Sequence, residues 1–186
     1  MKKIALFASG NGSNFQAIVN KINEGELPAE IAALVTDKPD CFAVVRAQNL
    51  NIPIFAFTPK RYNCKEEYEK EIVGFLSDKD ISLIVLAGYM RLVGSTLLTA
   101  YPNRIVNIHP ALLPAFPGKN AIENAYNYGV KLFGVTVHYV DAGIDTGKII
   151  AQECFHAKNT ETLKDIEKKI HAIEHNLYSK VIKEIL

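Results

Sequence analysis

In the stretch Val106-Asn107-Ile108-His109-Pro110 an amide and an imidazole stand two residues apart. Alternate side chains of an extended strand share a face, so Asn107 and His109 point the same way and Ile108 the opposite way. Pro110 has no amide hydrogen to continue a ladder, which puts the pair at the carboxyl end of its strand. Asn107 is a neutral donor, and His109 changes charge around neutral pH. Side by side they can donate to an oxygen that turns negative as a carbonyl is attacked. The plainer alternative is a strand-end histidine bonded to a carbonyl, beside a turn-forming asparagine. The apolar loop 111–118 that follows carries Pro114 and Pro117 and is stiff enough to hold the pair in place.

Two other loops carry candidate chemistry. Asp141-Ala142-Gly143-Ile144-Asp145-Thr146-Gly147 is acidic and broken by glycines. It is a solvated turn by default, or else one carboxylate pairs with His109, favours the imidazolium and raises its pKa. Ser9-Gly10-Asn11-Gly12-Ser13-Asn14 joins an apolar run to a helix-spaced one. Glycines let an anion approach the backbone, and Ser13 and Asn14 add donors at the positive end of a helix, a setting suited to phosphate. Two readings compete with this: Ser13 as a simple N-cap, and a dinucleotide loop with Asp37 as the ribose acid. The dinucleotide fingerprint wants glycine or alanine where this chain has Phe15.

These loops must be held by strands and helices. Short apolar or alternating runs at 4–8, 31–35, 52–57, 82–87, 104–108, 132–140 and 148–155 read as strands. The run 52–57 contains Pro53, which suits a sheet edge. In 132–140, Phe133, Val135, Val137 and Tyr139 share one face and Gly134, Thr136 and His138 the other. Helical spacing covers 14–24, 41–50, 65–76, 121–128 and 160–185. The expected fold class is α/β: a single domain over 1–186, with a mostly parallel sheet of about seven strands and helices on both faces. Ligands in such folds sit outside the carboxyl ends of the strands, where the winding reverses.

The bulk properties narrow the function classes. The 186 residues suit one domain. With 21 basic and 20 acidic residues the net charge is +1, which argues against a nucleic-acid binder. Cys41, Cys64 and Cys154 are scattered and odd in number, as expected of reduced thiols in the cytoplasm and not of a disulfide framework or a zinc site. No apolar run is long enough to span a membrane.

Four segments then occur together and in order: Gly10-Asn11-Gly12-Ser13-Asn14, Ala87-Gly88-Tyr89-Met90-Arg91, Asn107-Ile108-His109-Pro110-Ala111-Leu112-Leu113-Pro114, and the loop 141–145. Over residues 3–178 the chain resembles the glycinamide ribonucleotide transformylase family of folate-dependent formyltransferases, whose domain is Rossmann-like. The resemblance implies that Gly12, Ser13, Asn14 and Glu174 bind glycinamide ribonucleotide. It implies that Lys65, Met90, Arg91, Leu92, Val93, Asn107, Asp141, Ala142, Gly143, Ile144 and Asp145 line the site of 10-formyltetrahydrofolate, the co-substrate. Asn107, His109 and Asp145 become the catalytic trio of a purine-biosynthesis enzyme that uses no metal, acts on small molecules and works as a monomer or homodimer. Lys65 stands where many members carry arginine, which keeps the charge and loses the bidentate fork. His171 replaces a polar family residue, and Lys119-Asn120 occupies positions where some members have histidines. Apart from the resemblance, Glu174 reads as a solvated helix charge, and Met90 and Leu92 as core. Methionyl-tRNA and sugar-amine formyltransferases share the catalytic segment, but their bulky acceptors call for a longer chain. A nicotinamide oxidoreductase and a non-catalytic phosphosugar-binding module are the readings from other classes.

Overall fold

A computed structural model describes residues 1–186. Its seven strands are β1 (Lys2–Phe7), β2 (Ala29–Thr36), β3 (Ile54–Ala56), β4 (Ile81–Leu86), β5 (Ile105–His109), β6 (Leu132–Tyr139) and β7 (Ile149–His156). They form one sheet in the order β3-β2-β1-β4-β5-β6-β7. The first five pair in parallel, whereas β6 runs antiparallel to both β5 and β7. The six helices are α1 (Ser13–Asn23), α2 (Phe42–Asn49), α3 (Lys65–Leu76), α4 (Ser95–Ala100), α5 (Ala121–Tyr128) and α6 (Leu163–Ile185). Residues of α1, α2, α5 and α6 pack into one core on one face of the sheet, and α3 and α4 into a second core on the other. Burial from both sides explains why β1 is apolar throughout from Ile4 and β4 from Leu83. From β1 the chain winds outward to β2 and β3, then returns to β4 on the other side, so the crevice lies where β1 and β4 end.

The α/β class, the seven strands and the edge position of β3 match the sequence reading, but several boundaries move. Helix α6 begins at Leu163, not at residue 160, because Thr162 and Asp165 form a capping box, each side chain bonding the other's backbone amide. Gly12 caps α1 in the left-handed region at φ 72°, with no side-chain cap, so Ser13 is not the N-cap. Helix α4 went unseen in the sequence. Its first turn depends on a distant group: the Glu69 carboxylate accepts the amides of Gly94 at 2.6 Å and Leu97 at 3.3 Å. Burial pushes the Glu69 carboxyl above its ordinary value, and those two amides pull it partway back.

Tyr178 ties α6 to the sheet beneath the crevice. It is fully buried, and its hydroxyl lies 3.0 Å from the carbonyl oxygens of both Leu86 and Val106, on neighbouring strands. Tyr178→Phe is expected to cost about 1–2 kcal/mol, lowering Tm by roughly 2–8 °C in calorimetry. An unchanged Tm would show that the strand ends do not depend on this hydroxyl. No helix is long and apolar enough to cross a membrane.

Candidate active site

β5 ends at His109, as Pro110 requires, and brings the Asn107 and His109 side chains to one face. The hairpin loop between β6 and β7 folds over that face and carries Asp145. The loop can turn so tightly because a Cβ on Gly147 would fall 1.7 Å from the Tyr139 carbonyl oxygen, so only hydrogen fits there. Asp145 takes a left-handed backbone at φ 54°, a conformation aspartate tolerates. Its carboxylate reaches His109 Nδ1 at 3.3 Å through Oδ2 and accepts from Asn107 Nδ2 at 3.3 Å through Oδ1. The three residues separated in sequence therefore meet.

Both ring nitrogens of His109 face acceptors. Nε2 lies 2.8 Å from the carbonyl oxygen of Phe116, which can only accept. Nδ1 faces the Asp145 carboxylate, also an acceptor when ionised. A ring that donates from both nitrogens fits this pair of acceptors. Burial works to raise the Asp145 carboxyl. It is outweighed by the hydrogen bond with His138, the Gly118 amide at 2.8 Å and the charges of His109 and His138, which together hold the group below its ordinary value.

His138 was noted in the sequence only as one residue on a strand face, yet it is part of this cluster. In the β5–β6 register it sits opposite Asn107. Its Nδ1 donates to the Tyr139 carbonyl at 2.8 Å, leaving Nε2 at 3.2 Å from Asn107 Nδ2 and 3.5 Å from Asp145 Oδ1. Two residues along the same face, Thr136 accepts the Leu113 amide at 3.0 Å and donates to the Ala111 carbonyl at 2.7 Å. Gln152 adds bonds to Thr136 and to the Leu113 carbonyl. Polar anchors on β6 and β7 thus help to hold the loop whose Phe116 carbonyl meets His109.

The glycine loop lies across the crevice. α2 pins it: Arg46 donates to the Asn11 carbonyl at 2.9 Å, and the Ala43 amide donates to the Gly10 carbonyl at 3.2 Å. A Cβ on Gly12 would come within 3.1 Å of the Ala43 Cβ, so the loop's approach to α2 as well as its φ favours glycine. Uncapped first-turn amides remain available to an anion. Asn14 is buried in that turn, and its Oδ1 has no partner. Glu174 sits on α6, which packs against α1, one turn before the Tyr178 anchor. It is buried and not a solvated helix charge, and its carboxylate is 2.7 Å from His171 Nδ1. That hydrogen bond pushes the His171 imidazole up against the opposing pull of burial.

A model of the formyl transferase family matches residues 2–182. The chain belongs to this family. Phosphoribosylglycinamide formyltransferase of Bacillus subtilis (strain 168) is 53% identical over 186 residues, covering 100% of this chain and 95% of the relative. The enzyme of that name from Haemophilus influenzae is 34% identical, covering 98% and 86% respectively. The crystal structure of glycinamide ribonucleotide transformylase 1 from Geobacillus kaustophilus superposes with a TM-score of 0.97 at 52% identity, covering 100% of this chain and 99% of that one.

In this formyl transferase Met90 and Leu92 are not core, contrary to what their composition suggested. Met90 is 58% and Leu92 53% exposed, and Ile144 across the crevice is 52% exposed, whereas Val93 is buried. Large apolar side chains left open on both sides of Asn107 suit a flat, partly apolar ring. Lys65 lies against this segment, since a Cβ on Gly94 would come within 2.7 Å of its Cδ. Asp141 accepts the Gly143 amide at 3.0 Å and the Thr146 hydroxyl at 2.7 Å, so its carboxylate braces the loop from within.

Proposed function

We propose that this chain is a phosphoribosylglycinamide formyltransferase, carrying the formyl group of 10-formyltetrahydrofolate to the amine of glycinamide ribonucleotide in purine biosynthesis. The end-to-end likeness to the Bacillus subtilis relative carries the choice of acceptor, because the catalytic cluster alone fits any formyl acceptor. The phosphate of the acceptor sits on Gly12, Ser13 and Asn14, with Glu174 toward its amine-bearing part. The folate occupies the slot between Met90–Val93 and the loop 141–145, with Lys65 beside it. The three free cysteines accord with a cytoplasmic enzyme.

In this reading the amine attacks the formyl carbon and a tetrahedral intermediate forms with a negative oxygen. His109 turns its Nε2 hydrogen from the Phe116 carbonyl to that oxygen, and Asn107 turns to it the Nδ2 hydrogen that faces His138, keeping the other on Asp145. Both donors stabilise charge only as it develops. Asp145 supports the positive ring from 3.3 Å and relays the amine proton toward the folate nitrogen. The carbon–nitrogen bond to folate then breaks, leaving tetrahydrofolate and the formylated acceptor.

The test is a folate-absorbance assay of the purified protein with glycinamide ribonucleotide, run beside methionyl-tRNA. Turnover with the first and none with the second is expected. No turnover with glycinamide ribonucleotide would overturn the proposal.

A further inference from the structure

Asp37 and Ser9 remain outside the chemistry above, although both are almost fully buried at the crevice. Ser9 begins the glycine loop at the end of β1, and Asp37 follows β2. The Ser9 hydroxyl donates to Asp37 Oδ1 and accepts the Met90 amide at 2.9 Å. The Ser9 amide in turn donates to the Gly88 carbonyl at 3.1 Å. One residue therefore fastens the segment after β4 to the glycine loop by two bonds, directly across the switch point. The Asp37 carboxylate acts on the Tyr68 and Tyr89 hydroxyls, raising both, and none of the ion pairs in the structure includes it. A buried carboxylate without a cation is a costly way to hold two strands together, which are already paired along their length. It is an effective way to orient a hydroxyl: a charged acceptor strengthens the bond it receives and polarises the donor's oxygen toward its own donor, the Met90 amide.

We propose that Ser9 is a positioning residue for the folate. Its hydroxyl, aimed by Asp37, sets the height and direction of the Met90–Val93 backbone against the phosphate loop. This rests on the reading of Met90–Val93 as one wall of the folate slot. Neither side chain touches reacting atoms, so their removal moves binding of the folate more than chemistry.

Ser9→Ala is expected to raise KM for 10-formyltetrahydrofolate about tenfold, with kcat within about twofold and a smaller change in KM for glycinamide ribonucleotide. Asp37→Asn keeps an acceptor oxygen at the same place and is expected to retain folate KM within about threefold, while Asp37→Leu reproduces the loss seen with Ser9→Ala. A purely structural role would instead lower Tm and shift all kinetic constants together. The Met90 amide provides a readout that needs no ligand: its hydrogen exchange is expected to quicken about tenfold in Ser9→Ala. Unaltered exchange at Met90 refutes the strut itself. Faster exchange with folate KM within twofold of wild type refutes its role in folate positioning. Failure of the wild-type protein to transfer formyl at all refutes the proposed function, and the exchange result still decides the strut.

Discussion

Replacing His109 with alanine is expected to lower kcat for formyl transfer by about 10²–10³, the usual loss when one oxyanion donor is removed. KM for 10-formyltetrahydrofolate is expected to stay within a few-fold, because the His109 ring is buried and the exposed apolar side chains of Met90, Leu92 and Ile144 are untouched. The variant leaves Asp145 without its imidazolium, but Asn107 and the Gly118 amide still bond that carboxylate, so the loop keeps its place. Steady-state kinetics beside a thermal melt checks both points. A folded variant with kcat within tenfold of wild type would falsify the assignment of His109 as the oxyanion donor.

Asp145→Asn probes the charge instead of the donor. An asparagine oxygen can still accept the Gly118 amide, but it offers His109 no negative partner. At neutral pH kcat is expected to fall on the order of 10²-fold. It should recover partly as the pH drops, the direction in which a ring stripped of its carboxylate regains its proton. Wild type should behave differently, since its Asp145 carboxyl is held below the ordinary value. The stability this carboxylate contributes is present above the unfolded aspartate value of about 3.9 and is lost only as pH falls through the lower folded value. The two pH–rate profiles decide the matter: a variant with wild-type turnover and an unchanged profile means that Asp145 does not support the imidazolium.

Much of this site was legible in the sequence because short-range rules suffice for it. The strand ending at Pro110 and the shared face of Asn107 and His109 follow from strand periodicity and one missing amide hydrogen. The meeting of Asp145 with His109 was readable only as an option, since 36 positions separate them and no local signal reports a hairpin loop folding back over a sheet. His138 was harder still. Its face on β6 was evident, but its position opposite Asn107 depends on the β5–β6 register, which long-range packing sets. Helix α4 escaped because its first turn is held by Glu69, 25 residues before Gly94. Nothing local in the sequence marks Arg46, whose contact depends on α2 lying against the glycine loop. The roles given to Lys65, Met90–Val93 and Glu174 came from family likeness, and the structure adds where these side chains lie and what they touch.

Thr136 and His138 belong to a single row of side chains on β6, one fastening the loop around Ala111 and Leu113, the other standing beside Asn107 and Asp145. Deleting or inserting one residue upstream of Thr136 in this strand would turn both away together, because the pleat repeats every two residues. Loop architecture and charge array thus cannot drift apart in steps of one: a length change in β6 is tolerated only in pairs, or where a bulge absorbs it. The one irregularity in the β6–β7 pairing does not relax this rule, because between Val137 and His138 the extra residue is Ile150 of β7, while β6 keeps its own pleat unbroken.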